Sequence, residues 1–317
     1  MTFKKFLPLI LSTCMFCFGG HVDAKNFPPP FPTGEQELMD FPQLYPTYSW
    51  LPLPSTQFYQ VQVVKLDSPR DKIVRELLNT EAFDRVTDWT PLTEAGEYYW
   101  QVRVVDKNQK PLSDWSQKKF FAVTMPVTFA ALGDSITHGG AAYIPAGQLS
   151  CQWETYCDVP IKNLARSGDT TQMMLDRFDN DVLPFKPQVL VIMGGVNDIR
   201  MGSKSDTVIK NLEALRDKCL ANDITPVFCT LTSMAPDILR PLKIFLTDGD
   251  WREEREIINN WIMNTPYFID TAEQLTDGQG YLRADLTPDG LHPGLRGKKI
   301  IGETIGSYLK EKFADKI

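Results

Sequence analysis

The chain has 317 residues, of which 43% are hydrophobic and 23% are charged. These proportions are ordinary for a globular protein and argue against a disordered or fibrous chain. The formal net charge of −7 argues against nucleic acid as a partner, because phosphate binding needs clustered lysine and arginine. A chain of this length can form two domains or one large one.

The N-terminus is typical of a secretion signal. Lys4 and Lys5 give a basic start, the apolar run that follows is too short to cross a bilayer, and Ala24 suits the end of a cleavage site. We therefore expect residues 1–24 to be removed and the mature protein to be secreted or periplasmic, with no membrane-spanning segment left. Cys14 follows a sequence that loosely resembles a lipidation motif, which leaves a surface lipoprotein as an alternative.

Four cysteines follow the expected signal: Cys151, Cys157, Cys219 and Cys229. Disulfides are permissible in an exported protein, and Cys151 with Cys157, which flank a short segment, is the favoured pair. Four free, partly buried thiols fit the sequence equally well. No CxxC pair, Walker motif or G-x-G-x-x-G fingerprint follows the signal, so neither a metal ion nor another cofactor is expected.

Two segments of different sequence pattern precede the middle of the chain. Residues 25–46 are rich in proline, which is typical of an extended tether with little structure of its own. Over residues 47–125 polar and apolar residues alternate between turn signals, a pattern that predicts antiparallel strands in a β-sandwich. Residues 75–83 depart from this pattern and are expected to form a short helical insertion.

Residues 47–125 resemble a fibronectin type III or similar immunoglobulin-like module. Trp50 stands where the core tryptophan of the second strand would lie, and Tyr59 matches the third strand. Tyr98 or Tyr99 matches the tyrosine of the penultimate strand. The resemblance implies a small all-β sandwich domain, whose role as a spacer, a wall of the active-site cleft or a sugar binder stays open.

From residue 126 onward, short apolar runs alternate with segments of helical spacing. The runs at residues 129–132, 189–193 and 227–231 are almost continuously apolar, as strands covered on both faces should be. This alternation predicts an α/β fold, a three-layer doubly wound domain over residues 126–317. Ligands of such sheets bind beyond the carboxyl ends of the strands.

Ser135, in the sequence GDSI, directly follows the first of these runs. A serine hydroxyl is a poor nucleophile near neutral pH, so it needs a base within hydrogen-bond reach, and that base benefits from an orienting acid. The chain has three histidines, and His21 lies in the expected signal, which leaves His138 and His292 as candidate bases. Asp289 precedes His292 by three residues, so one loop can deliver both groups.

Four sequence blocks resemble those of the GDSL/SGNH hydrolase family. They are Ser135 in GDSI, Gly168 in RSGDTT, Asn197 in GVND, and His292 in DGLHP together with Asp289. The resemblance runs from Thr128 to the C-terminus and implies a flavodoxin-like fold and a serine esterase. It implies a catalytic triad of Ser135, His292 and Asp289, and an oxyanion hole made by Ser135, Gly168 and Asn197.

These residue types suit acyl transfer. The tetrahedral intermediate carries a negative oxygen, and each preorganised donor to it contributes about 3–4 kcal/mol. Gly168 allows a close approach of the backbone because it has no side chain, and Asn197 offers a neutral amide donor. Asp134, His138 and Arg200 are neighbours of these residues in sequence and are expected to contribute to substrate binding, with His138 also the rival base.

The family includes lipases, lysophospholipases, thioesterases and carbohydrate esterases, so its blocks imply a reaction type and leave the substrate open. Export, the acidic composition and the additional domain favour an acyl ester, first of all an acetyl ester, of a carbohydrate. Trp153, Tyr156 and Trp251 are aromatic candidates for stacking on a sugar ring. A lipid ester or thioester substrate is the first alternative, and an inactive glycan-binding surface protein is the second. The oligomeric state stays open.

Overall fold

The computed structural model describes residues 27–56, 58–79, 84–140 and 146–317. The expected signal peptide over residues 1–24, with Cys14, lies outside the described residues. Within the described part of the chain, no helix combines the length and the apolar character needed to cross a membrane.

The described residues of the first part of the chain contain seven strands: β1 (Phe31–Pro32), β2 (Thr47–Leu51), β3 (Phe58–Lys65), β4 (Lys72–Leu78), β5 (Arg85–Thr87), β6 (Gly96–Val105) and β7 (Lys119–Val123). They make two antiparallel sheets of order β1-β2-β5 and β4-β3-β6-β7. In β3, Tyr59, Val61 and Val63 are buried and the residues between them are partly exposed, so the alternation reflects one covered face. The sheets meet through aromatic rings, such as Tyr48 and Trp100 with centroids 5.1 Å apart.

The helical insertion predicted at residues 75–83 is wrong over its first four residues. These belong to β4, which pairs with β3 as an edge strand. Pairing with a neighbouring strand outweighs weak local preferences, which is why sequence patterns at sheet edges mislead. The remainder of that stretch, residues 80–83, lies outside the described residues.

The proline-rich stretch, described from residue 27, is not an extended free tether, because it contains a 3₁₀ helix at Gln36–Leu38 and packs against the rest of the chain. Leu44 and Tyr45 are buried, and the buried amine of Lys162 donates a hydrogen bond of 2.5 Å to the carbonyl oxygen of Pro42. Because the backbone groups of this segment are satisfied by the second half of the chain, it packs there instead of remaining solvated.

A five-stranded parallel sheet forms the centre of the second part. Its strands are β8 (Phe129–Gly133), β9 (Lys162–Asn163), β10 (Val189–Met193), β11 (Thr225–Cys229) and β12 (Phe268–Ile269). They lie in the order β9-β8-β10-β11-β12, which corresponds to the flavodoxin-like order 2-1-3-4-5. Every residue of β8 and β10 is buried, which explains their continuous apolar sequences. The predicted α/β fold with a parallel central sheet is confirmed.

Seven helices accompany this sheet: α1 (Ser135–His138), α2 (Thr171–Asp181), α3 (Val196–Arg200), α4 (Ser205–Leu220), α5 (Pro236–Leu239), α6 (Trp251–Met263) and α7 (Leu295–Lys312). Helix α4 packs between α2 and α6, whereas α7 packs against the turn Trp153–Tyr156 and β12. In α4, Val208, Leu212, Leu215 and Cys219 are buried at helical spacing, as a single covered face requires.

One cluster of buried apolar side chains spans both parts of the chain. It extends from Leu44 and Tyr48 through Trp100 to Phe129 and Phe313 without interruption. The N-terminal sheets are therefore packed onto the α/β part through apolar contacts as well as hydrogen bonds.

The four cysteines that follow the expected signal are free, buried thiols, so the favoured pairing of Cys151 with Cys157 is not formed. Burial raises the pKa of Cys157 to about 11 and that of Cys219 to about 12. Thiols with such raised pKa values are poor nucleophiles, because the thiolate is the reactive form. The alternative of four free thiols describes the structure.

Gly302 tests the packing of α7. A Cβ at this position would lie 2.1 Å from the carbonyl oxygen of Trp153, so the backbone would have to shift. We expect Gly302→Ala to lower the free energy of unfolding in urea by about 1–3 kcal/mol, although alanine is the better helix former by about 1 kcal/mol. In Gly278→Ala, where the new Cβ meets nothing within 4 Å, the change should stay within about 0.5 kcal/mol. A stabilised Gly302→Ala protein would contradict the packing described.

Candidate active site

Ser135 is the first residue of α1, directly after β8. The neighbouring Asp134 caps this helix, since its Oδ1 accepts a hydrogen bond of 2.8 Å from the backbone N–H of Ile136. Strand β8 lies between β9 and β10, where the strand order reverses. Loops at such a point leave a crevice at the carboxyl edge of the sheet, and Ser135 lies at this edge.

Helix α1 has a single turn, so its last carbonyl groups lack partners inside the helix. Three buried side chains from distant segments donate to these carbonyl oxygens. The pairs are Ile136 with Lys298 Nζ, Thr137 with Asn163 Nδ2 (2.6 Å) and His138 with Gln43 Nε2. The donors come from α7, from β9 and from the N-terminal segment, and the helix that carries Ser135 is therefore fixed from three directions.

Ser135, His292 and Asp289 form a continuous chain of hydrogen bonds. Ser135 Oγ lies 2.8 Å from His292 Nε2, and His292 Nδ1 lies 2.7 Å from Asp289 Oδ2. A carboxylate only accepts, so the ring proton is on Nδ1 and Nε2 is left to accept the serine proton.

Asp289 is held in its ionised form by its surroundings. Burial raises its pKa, but the hydrogen bond and charge of His292 and the backbone N–H groups of Leu291 and His292 outweigh this effect, so the pKa lies below its ordinary value. Those two N–H groups donate to Asp289 Oδ1 at 2.9 and 2.8 Å. The DGLHP loop thus supplies both the histidine and the means of orienting it.

Gly168 and Asn197 lie beside Ser135 at the ends of the two neighbouring strands. Gly168 has a left-handed φ of +88°, and a Cβ built on it would meet nothing within 4 Å, which shows open space above it. Asn197 Nδ2 donates to the carbonyl oxygen of Asp169 at 3.0 Å, which uses one of the two amide hydrogens. Asp198 accepts two hydrogen bonds from Thr171, at 2.9 and 2.7 Å, and so ties α3 to the start of α2.

A cleft of about 450 Å³ opens over this group. It is lined by Ser135, Gly168, Asn197, Arg200, Leu242, Ile244, Asp289, Leu291 and His292. All five residues predicted for the triad and oxyanion hole therefore line one cleft. Among the described residues, no cluster of three or more His, Cys, Asp or Glu side chains is arranged to hold a metal ion.

Of the three residues predicted to contribute to substrate binding, only Arg200 lines the cleft. Its guanidinium donates to Asn197 Oδ1 at 3.3 Å and to the carbonyl oxygen of Phe245 at 2.9 Å. Asp134, next to Ser135, is buried, and burial raises its pKa to about 6. Its short side chain is committed to capping α1, which is why it does not reach the cleft.

His138 lies behind the cleft, buried among polar partners. Its Nε2 lies 2.8 Å from the carbonyl oxygen of Tyr45, and its Nδ1 lies 2.8 Å from Ser167 Oγ. Both ring nitrogens are thus occupied, and the structure does not support the alternative of His138 as the base or as a substrate contact. Burial lowers its pKa to about 4, so the ring is neutral near neutral pH.

None of the three aromatic candidates for sugar stacking lines the cleft. Trp153 is fully buried and Trp251 is 6% exposed, while the hydroxyl of Tyr156 donates to the carbonyl oxygen of Ser150.

Sequence reasoning also missed Lys298, although it shares the helical spacing of Ile301 in α7 and is therefore a lysine on a buried face. Nothing in the local sequence indicates that Asn163 and Gln43 donate hydrogen bonds to the carbonyl groups of α1.

The family model of the GDSL-like lipase/acylhydrolase family matches residues 131–300, and the chain belongs to this family. It is accordingly a carboxylic ester hydrolase. No match was found among curated proteins.

Two solved structures illustrate the similarity. A GDSL-like lipase from Bacteroides thetaiotaomicron VPI-5482 is 20% identical, with 59% of this chain and 88% of that chain covered and a TM-score of 0.48. The lipase/acylhydrolase from Enterococcus faecalis is 23% identical, with 58% of this chain and 96% of that chain covered and a TM-score of 0.47.

Gly168 and Gly280 form a matched pair for testing whether the loop that carries Gly168 belongs to the active site. Their φ angles are +88° and +85°, and an added Cβ would meet nothing within 4 Å at either position. Alanine at either position should therefore lower the free energy of unfolding by a similar amount, about 1–2 kcal/mol. Only Gly168→Ala should lower kcat/KM for an ester, by about 10- to 100-fold, because it displaces a group beside the reacting carbonyl. Equal activities in the two variants would remove Gly168 from the site.

Proposed function

We propose that the protein hydrolyses carboxylic esters through Ser135 as nucleophile, His292 as general base and Asp289 as orienting acid. The observation that carries the proposal is the 2.8 Å contact between Ser135 Oγ and His292 Nε2, with Asp289 on the other ring nitrogen. A hydroxyl and an imidazole at this distance can exchange a proton directly.

The steps follow from this geometry. Ser135 Oγ attacks the ester carbonyl carbon while its proton passes to His292 Nε2, and the imidazolium that forms is stabilised by Asp289. Collapse of the tetrahedral intermediate breaks the bond to the alcohol oxygen, which takes the proton from His292. Water then attacks the acyl-Ser135 ester with His292 again as base, which releases the acid and restores the serine.

The negative oxygen of each tetrahedral intermediate needs donors placed in advance. We propose the backbone N–H groups of Ser135 and Gly168 and the side-chain amide of Asn197 for this role. This assignment is supported by two observations: all three residues line the same cleft, and hydrogen bonds with Asp169 and Arg200 hold the side chain of Asn197. Donors fixed before the reaction cost no reorganisation when the charge develops.

For the substrate, an acyl ester of a carbohydrate remains the proposal from export and composition. A second candidate is a lipid-type acyl ester, because the apolar side chains of Leu242, Ile244 and Leu291 are among those that line the cleft. Leu242 is 41% exposed, so part of its side chain is available for contact with an acyl group. Leu242 and Ile244 precede Phe245, whose carbonyl oxygen accepts a hydrogen bond from Arg200, and Arg200 also donates to Asn197. We therefore propose that the acyl group lies beside Leu242 and Ile244, and that the leaving alcohol lies beside His292.

We further propose that residues 47–125 form a fibronectin type III-like sandwich in a protein that is secreted or periplasmic. The sandwich is supported by the two facing antiparallel sheets. It is also supported by the hydroxyl of Tyr98, which donates to the carbonyl oxygen of Glu94 at 2.8 Å, as the tyrosine corner of such domains does. Export is supported by the basic and apolar start of the sequence alone.

The triad is tested with p-nitrophenyl acetate. Ser135→Ala and His292→Ala should each lower kcat by about 10⁴-fold or more, and Asp289→Asn somewhat less, because the members of a triad act as a unit with unequal individual losses. Ser307→Ala replaces an exposed serine of α7 and should leave kcat within about twofold. Wild-type turnover in Ser135→Ala would end the proposal.

The acyl side of the cleft is tested with p-nitrophenyl esters from acetate to octanoate. If Leu242 contacts the chain, kcat/KM should rise by about two- to fourfold per methylene, and Leu242→Gln should flatten the rise while acetate turnover is kept. Leu220→Gln is the control. Leu220 is an exposed leucine at the end of α4, and because α4 leads into the start of β11, Leu220 lies at the edge of the sheet opposite the cleft. A rate that falls steadily from acetate onward would favour the acetyl ester.

A further inference from the structure

We propose that the N-terminal region, residues 27–125, contributes to this active site through Tyr45. Tyr45 and His138 are positioning residues for residues 166–169, which we call the oxyanion loop. The inference rests on the proposed function, since it assigns these residues to the same reaction. It differs from the roles of spacer, cleft wall or sugar binder that the sequence left open for residues 47–125, because Tyr45 belongs to the proline-rich segment before them and acts from behind the cleft.

The first connection runs through the backbone of Tyr45. Its carbonyl oxygen can only accept, so His138 Nε2, 2.8 Å away, must carry the ring proton. The ring is neutral, and Nδ1 is therefore an acceptor for the hydroxyl of Ser167, also 2.8 Å away. One tautomer of a buried imidazole thus joins the N-terminal region to the residue that precedes Gly168.

The second connection runs through the side chain of Tyr45. Its hydroxyl donates to Asp181 Oδ2 at 2.5 Å, and that carboxylate also accepts from Arg177 Nη1 at 2.9 Å. Arg177 Nε in turn donates to Asp169 Oδ2 at 2.5 Å. Asp169 follows Gly168, and its carbonyl oxygen accepts from Asn197 Nδ2. The same tyrosine is therefore linked to both flanks of Gly168.

Burial makes these connections rigid. Tyr45, His138, Asp169, Arg177 and Asp181 are all buried, so water cannot readily replace a lost partner, and hydrogen bonds in such surroundings are stronger than in water. The guanidinium of Arg166 lies over the ring of Tyr45 at 5.6 Å and so adds a contact at the start of the oxyanion loop. Gln43, two residues before Tyr45, donates to the carbonyl oxygen of His138.

A shift in this network would move the Gly168 N–H and the Asn197 amide together. Both are proposed donors to the oxyanion, which exists only after Ser135 has attacked. The loss should therefore fall on kcat and leave KM nearly unchanged, because an interaction made only in the transition state lowers kcat.

The experiment compares Tyr45→Phe and His138→Gln with Tyr98→Phe, using p-nitrophenyl acetate. Tyr98→Phe is the matched control, because it also removes a buried hydroxyl bond in the N-terminal region but has no link to the oxyanion loop. His138→Gln keeps an amide donor toward Tyr45 and loses the acceptor for Ser167. Urea unfolding of each variant establishes that it is folded under the assay conditions.

We expect kcat to fall about five- to tenfold in Tyr45→Phe and about tenfold or more in His138→Gln, with KM within about twofold of wild type. Affinity for an alkylboronic acid, whose tetrahedral adduct with Ser135 places an oxygen in the oxyanion hole, should fall in parallel with kcat. A purely structural role would not move this affinity.

The proposal is overturned if both variants keep wild-type kcat and boronic acid affinity, or if Tyr98→Phe loses as much of each as Tyr45→Phe does. Failure of the proposed function gives a different result, namely wild-type turnover in Ser135→Ala. The double variant Tyr45→Phe with His138→Gln should lose less than the product of the single losses, since both changes act on one network. Independent, multiplicative losses would contradict the linkage.

Discussion

The geometry of the candidate active site depends on the hydrogen bonds that hold the single-turn helix α1 in place. Helix α1 carries Ser135, but four residues cannot sustain a helix, because nucleation is costly and its terminal groups lack partners. Its carbonyl groups are satisfied instead by buried donors from Gln43, Asn163 and Lys298. Removing such a donor leaves a buried carbonyl unpaired, which costs about 1–3 kcal/mol. The position of Ser135 consequently depends on segments from both parts of the chain.

The parallel sheet explains why such distant residues can cooperate. Strand β8 lies between β9 and β10, and the three parallel strands end at the same edge of the sheet. The segments that follow them therefore begin at this edge, where they bring Ser135, Gly168 and Asn197 together. The DGLHP loop, which precedes α7, closes this group from the side. Helix α7 then returns beneath the cleft, where Lys298 reaches the backbone of α1. Helix α7 thus connects the loop that carries His292 with the helical turn that carries Ser135.

Features encoded locally could be predicted from the sequence. Continuous apolar runs predicted β8, β10 and β11, whereas the polar strand β9 has no such signal. The resemblance of four sequence blocks to a known family implied that Ser135, Gly168, Asn197 and His292 meet, and these residues line one cleft. Features decided by tertiary contacts could not. The last four residues of β4 were predicted as helix, because the strand with which they pair is distant in sequence. His138 was predicted to contact the substrate, because nothing in the sequence shows that its ring is bound to the backbone of Tyr45.

Two buried carboxylates near the imidazole show how surroundings decide which of them is its partner. Asp134 has one backbone donor at Oδ1, while its Oδ2 finds no hydrogen-bond partner among the described residues, and burial raises its pKa to about 6. Asp289 receives two backbone N–H groups and the ring N–H of His292, which together lower its pKa despite burial. As the pH falls, Asp134 therefore loses its charge first. The number of donors, and not the distance to the imidazole alone, makes Asp289 the carboxylate that can stabilise a cationic ring.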